Sequence, residues 1–226
     1  MKNKKIDIVV CSKGSYEDTL IQKSFYNLNY GNFCLKIVEN NSKAIAEVYN
    51  EYLDTSDADY IIFCHDDVSI EDSQLAIKIN EAIGDDSEFA ICGIAGNRKC
   101  QIKEKNLWHL MGDRKTMSGS VAHYTGKDDV NCFSTSFGST PERCILLDGL
   151  FLAVNLKKIK EVGLRFDEDC PSNWNFYDLN FCMQAHRLGL KMTTYPIWVV
   201  HQSHGLEDYN NDDWVKGNEY FKNKWS

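Results

Sequence analysis

Two carboxylates and an imidazole stand side by side at His65-Asp66-Asp67, directly after the apolar run Tyr60-Ile61-Ile62-Phe63-Cys64. A run of that composition reads as a strand buried on both faces. Charges are costly where water is scarce, so adjacent acids at a strand's C-terminal end need a compensating partner. A divalent cation or a phosphate-bearing ligand supplies one, in the crevice where open α/β sheets bind small molecules. Helix capping is the plainer reading, because Ser69 and Asp72 follow and a helix starts nearby. Three further polar clusters weigh against capping alone. Glu39-Asn40-Asn41-Ser42 closes a second strand-like run, Tyr177-Asp178 sits near a helix start, and His201 with His204 follows a last apolar run. Gathered on one edge of a parallel sheet, the four clusters form one site.

The pattern of the chain supplies elements to gather them. Strands are expected at Ile6–Cys11, Leu35–Glu39, Asp59–Cys64 and Phe89–Ala95. Helices are expected between them at Ser15–Asn27, Lys43–Leu53 and Glu71–Ile83, the last stopped by Gly84. This βαβαβαβ rhythm predicts a mainly parallel sheet covered by helices on both faces. From Asn97 to about Arg143 the rhythm breaks into Gly, Ser, Thr, Lys and Asp with scattered aromatics and histidines. Such a segment reads as a functional loop insertion over the sheet's C-terminal edge, with room for a hairpin. An apolar run then covers Cys144–Leu152, broken by Asp148-Gly149, and helices follow at Leu156–Val162 and Asn173–Leu188. A final strand spans Ile197–Val200, and the tail Trp214–Trp225 is amphipathic.

Bulk properties bound the function. At 226 residues and 43% hydrophobic content, one large domain with a full core is expected. The net charge of −8 excludes a nucleic-acid footprint, which needs a basic face. It leaves room for phosphorylated ligands, whose charge a metal and a few local cations neutralise. Nine cysteines, none in a C-x-x-C pair, suit a reducing cytoplasm better than a disulfide framework or a zinc site. The basic start Met1-Lys2-Asn3-Lys4-Lys5 precedes an apolar run too short for a signal peptide or a membrane span. If the protein meets a membrane, it does so peripherally. Oligomeric state is not legible.

In order and spacing the chain resembles inverting nucleotide-sugar glycosyltransferases of the GT-A fold, of the large family 2 type. "IDIVVCSKG" opens the resemblance and "LKIVENNS" stands where that family reads V-D-N-x-S. "DADYIIFCHDDVSI" holds the place of the D-x-D element. "LLDGLFLAVNLKKIKEVGLRFDED" resembles the strand with Asp-Gly, a helix and Gly-x-x-Phe-Asp-Glu. "FYDLNFCMQAHRLGLKM" resembles the E-D-x-D-L-x-x-R helix, and "PIWVVHQSHG" with "FKNKW" resembles a subgroup with an H-x-S-x-G strand end. The resemblance implies a Rossmann-like, mainly parallel GT-A domain over residues 1–226. Its nucleotide-binding half would span about 1–96, its loop insertion about 97–143 and its acceptor-side half about 144–226.

Roles follow residue by residue from that resemblance. Asp67 takes the last acidic position of the D-x-D element and is expected to ligate Mn²⁺ or Mg²⁺. Asp66 would contact the ribose or hold a metal-bound water. His65 replaces the element's first Asp, as a metal ligand, a phosphate donor or a packed neutral neighbour. Glu39 matches the carboxylate that accepts from a uracil imide, or is a turn residue, and Ser12 would lie beside the same base. Asp178 matches the general base that takes a proton from the acceptor hydroxyl, with a helix-dipole charge as the plainer reading. Tyr177 and Asn180 depart from the acidic pattern around it. His201 is assigned to the metal shell, and His204 to a phosphate or acceptor contact. Asp148 and Gly149 are expected at the acceptor face, and Trp174 stacks on a sugar ring or belongs to the core. Arg98 and Lys99 meet phosphate or, more simply, solvent.

The resulting expectation is a metal-dependent transferase moving a sugar from a nucleotide diphosphate donor, a UDP-sugar first, to a glycan or lipid-linked acceptor with inversion. By family analogy alone it would build bacterial surface polysaccharide at the cytoplasmic face of the membrane. A GT-A-like module that binds nucleotide or sugar without transfer is the alternative, motivated by His65, Tyr177 and Asn180. A nucleotidyltransferase ranks last, because Cys11-Ser12-Lys13-Gly14 is poor in Gly and basic residues.

Overall fold

In a computed structural model, which describes residues 4–28, 30–124, 131–202 and 209–226, the β-branched and aromatic runs become strands and the amphipathic runs between them helices. The first half contains β1 (Lys5–Cys11), α1 (Leu20–Phe25), β2 (Asn32–Val38), α2 (Ile45–Thr55), β3 (Tyr60–Cys64), β4 (Val68–Ile70), α3 (Leu75–Ile83) and β5 (Phe89–Gly93). Next come β6 (Ala95–Asn97), β7 (Met117–Tyr124), β8 (Cys132–Gly138), β9 (Arg143–Cys144), β10 (Leu146–Leu147) and β11 (Phe151–Asn155). The chain closes with α4 (Leu156–Val162), α5 (Tyr177–Arg187), β12 (Lys191–Thr194), β13 (Val199–His201) and α6 (Asp212–Trp225).

The main sheet runs in the order β2-β1-β3-β11-β5-β12-β9. β1 pairs in parallel with β2 and β3, and β12 pairs in parallel with β5. β11 enters antiparallel between β3 and β5, and the short edge strand β9 lies antiparallel to β12, so the parallel rhythm of the first half holds around two reversed strands. The reversal of β11 follows from where it begins. His65 N donates to Leu150 O at 3.2 Å, which puts the start of β11 at the C-terminal end of β3, and the strand can only run back. β3 and β11 are buried along their whole length, as their continuous apolar runs require.

A second sheet, β10-β6-β7-β13-β4 with β8 on the outside of β7, is built largely from the segment expected as an insertion. Its hairpin is β7–β8. The apolar stretch expected as one strand to Ala95 divides at Ile94: Gly93 pairs in the main sheet and Ala95 in the second. The two short strands β4 and β12 carry too few residues for a periodicity signal. Helices start later than the pattern suggests. Tyr16–Asp18 forms a single 3₁₀ turn ahead of α1. Phe176 sits in the left-handed region at φ 63°, so α5 cannot begin before Tyr177. The residues before it are held instead by Asp213 of α6, which accepts from Ser172 Oγ at 2.6 Å and Asn173 N at 2.9 Å. Among the described residues no helix is long and apolar enough to cross a membrane.

Candidate active site

The C-terminal end of β3 meets the second sheet, and there the polar clusters converge. β13 lies antiparallel to β4 and parallel to β7, which sets His201 opposite Val68 and beside His123. Gln202 N donates to Asp67 O at 2.8 Å and fixes the two segments together. His201 Nε2 lies 3.2 Å from Asp67 Oδ2, and His65 Nδ1 lies 3.8 Å from Asp67 Oδ1. One donor atom from each of His65, Asp67 and His201 falls within 4.8 Å of the others. Two imidazoles and a carboxylate at that spacing offer a divalent cation two nitrogen ligands and one oxygen ligand. Burial disfavours a charged His201, but the hydrogen bond and charge of Asp67 outweigh it and raise the imidazole above its ordinary value.

Two cavities share this ground. One, of about 590 Å³, is lined by Cys11, Lys13, Tyr49, Asp66 and Asp67 among others. The second, of about 460 Å³, is lined by Trp108, His123, Asp148, Asp178 and His201 among others. His65, Trp174 and Asn175 line both. Asp178, at the first turn of α5, accepts from Gly149 N at 2.9 Å. Burial first, and the neighbouring Asp148 second, push its carboxyl up to about 7, against the pull of backbone N–H donors. That value suits a group that must take a proton near neutral pH. Asp148 is held on both oxygens: Trp108 Nε1 donates at 2.8 Å and Leu150 N at 3.0 Å. A Cβ on Gly149 would stand 2.5 Å from the Tyr177 hydroxyl and 2.9 Å from Asp178 Cβ, so only glycine permits this approach.

Most of the residues singled out from the sequence come together here. Asp66 lines the first cavity and accepts from Ser12 Oγ at 2.5 Å. Ser12 is itself buried and acts through Asp66, while its neighbours Cys11 and Lys13 face the cavity. Glu39 is not brought in: it is exposed, lines neither cavity, and accepts from Tyr16 N at 2.9 Å. Arg98 and Lys99 line neither cavity, and Arg98 lies 3.7 Å from Glu142. His204 lies outside the described residues. Three wall residues, Lys13, Trp108 and His123, were given no role in the site by the sequence, and Tyr177 was marked only as a departure from the family pattern. Lys13, on the wall of the first cavity, places its ammonium 4.3 Å from the centre of the Trp174 ring, which lines both, in the geometry of a cation–π pair. Trp108 and Tyr177 make the hydrogen bonds given above and below. His123 stands with ring centroid 5.6 Å from that of His201. Burial, then His201, lower its basicity. Only the scattered aromatics and histidines of the insertion hinted at Trp108 and His123.

Residues 21–224 match the model of a family described as a glycosyltransferase-like family. No curated protein sequence matches the chain. A mannosyltransferase, PcManGT from Pyrobaculum calidifontis in complex with GDP-mannose and Mn²⁺, is similar at 12% identity and TM-score 0.52, over 89% of this chain and 57% of that one. S. aureus TarS 1–349 in complex with UDP is similar at 12% identity and TM-score 0.53, over 88% of this chain and 60% of that one. The chain thus spans about three-fifths of the length of these structures. Their likeness establishes a common fold, the GT-A fold. The family match covers nearly the whole sequence, and the chain belongs to that glycosyltransferase-like family.

Proposed function

We propose that this family member is a metal-dependent, inverting glycosyltransferase that moves a sugar from a uridine diphosphate donor to a glycan or lipid-linked acceptor hydroxyl. The observation that carries the reading is the meeting of two cavities at His65, with the Asp67 cluster on one side and Asp178 on the other. Asp67, His201 and His65 fit a divalent cation and would hold it. Bound Mn²⁺ or Mg²⁺ supplies positive charge against a departing diphosphate. Asp66, oriented by Ser12, takes a donor hydroxyl, and Lys13 adds a cation on the same side. Mn²⁺ and nucleotide in the similar structures support the donor class without specifying this chain's base or sugar.

Asp178 acts on the acceptor side. Its carboxylate takes the proton of the acceptor hydroxyl as that oxygen bonds to the anomeric carbon. The bond from that carbon to the phosphate oxygen breaks, and the diphosphate leaves with its electron pair. Attack from the face opposite the leaving group inverts the centre. Asp148 and the aromatic wall at Trp108, Trp174 and Trp214 supply a hydrogen-bonding and stacking surface of the kind sugars use. All nine cysteines are unpaired, which supports a reducing, cytoplasmic setting.

The test is donor turnover. Purified protein incubated with UDP-sugars and Mn²⁺ should release UDP, faster with an acceptor present, and Asp178→Asn should slow release by roughly 10²–10⁴-fold while nucleotide binding persists. Nucleotide binding without turnover across many donors and acceptors would instead establish a binding module. Failure to bind any nucleoside diphosphate would end the transferase reading.

A further inference from the structure

His65 faces two ways. Its Nε2 lies 2.8 Å from the Tyr177 hydroxyl, and its Nδ1 points toward Asp67 Oδ1 at 3.8 Å. The Tyr177 hydroxyl also lies 3.1 Å from the Gly149 carbonyl oxygen, in a buried setting beside Tyr49 and Phe166. A phenol has one proton to give, and a carbonyl oxygen only accepts. With the Tyr177 proton directed at the Gly149 carbonyl, the phenol oxygen accepts from His65, and that arrangement puts the imidazole hydrogen on Nε2. Nδ1 is left with a lone pair facing a carboxylate oxygen. Two acceptors opposed across 3.8 Å make no hydrogen bond with each other, and both lone pairs can serve one cation.

We propose that Tyr177 is a positioning residue that locks His65 in its Nε2–H tautomer and so turns the Nδ1 lone pair toward a divalent cation shared with Asp67 and His201. This rests on reading the cluster as the cation site. It also gives the two departures from the family pattern a common cause. His65 stands for an acid in one motif, Tyr177 for an acid in another, and in this fold they are the two ends of one hydrogen bond. The same contact reaches the acceptor side. Gly149 takes the Tyr177 proton on its oxygen and holds Asp178 with its N–H at 2.9 Å. Ligand orientation by a neighbouring hydrogen bond is a general feature of metal-binding histidines.

Two measurements decide it. Long-range ¹H–¹⁵N correlation spectra of metal-free protein, with the His65 signals identified by their loss in His65→Gln, should show the Nε2–H tautomer in wild type and a mixture in Tyr177→Phe. Mn²⁺ titration followed by electron paramagnetic resonance should show Tyr177→Phe binding about 10–100-fold more weakly than wild type. An Nδ1–H tautomer in wild type, or wild-type Mn²⁺ affinity in a folded Tyr177→Phe, overturns the proposal and leaves the cation site standing. If Asp67→Asn binds Mn²⁺ as well as wild type, the cation site itself is wrong and the proposal falls with it. If Tyr177→Phe does not fold, the wild-type tautomer decides alone.

Discussion

The two cavities that meet at His65 handle charge in opposite ways. On the Asp67 side, acids are paired with neighbouring donors: Asp66 with the Ser12 hydroxyl, Asp67 with His201. On the Asp178 side, indole and backbone donors also hold the acids, but two carboxylates lie close together against an aromatic wall, and burial with Asp148 pushes Asp178 up to about 7. The first arrangement gathers a carboxylate and two imidazoles around one point, as a cation site requires. The second holds a carboxylate near the point of taking a proton. The contrast teaches that residue type alone does not assign a role: aspartates at both strand and helix ends are told apart by what surrounds them.

Removing the acid on each side should break this contrast in different ways. Asp178→Asn should lower the transfer rate by roughly 10²–10⁴-fold, the usual worth of a general base, with nucleotide and Mn²⁺ binding intact. A steady-state assay beside a nucleotide titration separates the two effects. Asp67→Asn should leave Asp178 poised but erase the stabilisation given by Mn²⁺ with UDP. At about 100 times Kd that stabilisation is about 2.7 kcal/mol, several degrees in melting temperature, and a thermal shift reads its loss.

The pH dependence sharpens the comparison. Transfer should climb as pH rises through about 7, because Asp178 must be ionised to act, and no such rise should survive in residual Asp178→Asn activity. Stability runs the other way. The folded state raises this carboxyl above its unfolded value, so it binds more protons than the unfolded chain between about 4 and about 7, and stability falls with rising pH across that window. Asp178→Asn should therefore gain thermal stability relative to wild type at pH 8 and lose that advantage toward pH 4. Wall residues should matter less. Trp108→Phe removes a donor to the Asp148 carboxylate, worth about 1.5 kcal/mol, so the acceptor KM should rise about tenfold with the donor KM unchanged. Ser12→Ala should raise only the donor KM, by about fivefold, for a hydrogen bond worth about 1 kcal/mol.

Much of the site was legible because strand ends announce themselves. Asp66, Asp67 and His201 follow β-branched and aromatic runs that read as buried strand, and the fold places all three together. Asp178 was marked by its helix start. Glu39 followed a strand just as clearly, yet its side chain turns to the Tyr16 amide and lines neither cavity, since strand ends fix a neighbourhood but not a rotamer. Lys13 and Trp108 were missed for the converse reason: nothing in their local pattern distinguishes a cavity wall from a surface loop. β4 and β12 were missed because three or four residues cannot display a period.

The sequence by itself determined the alternation of buried strands and covering helices, and with it the edge where polar residues must collect, because hydrophobic periodicity is a local property of the chain. Only the tertiary structure decided that β11 runs backwards through the sheet, that the insertion forms a second sheet carrying His123 alongside His201, and that Tyr177 touches His65. Those outcomes depend on which strand end lies next to which, and on single hydrogen bonds between residues as far as 112 positions apart. No local pattern encodes such meetings; they follow from burying all the apolar faces at once.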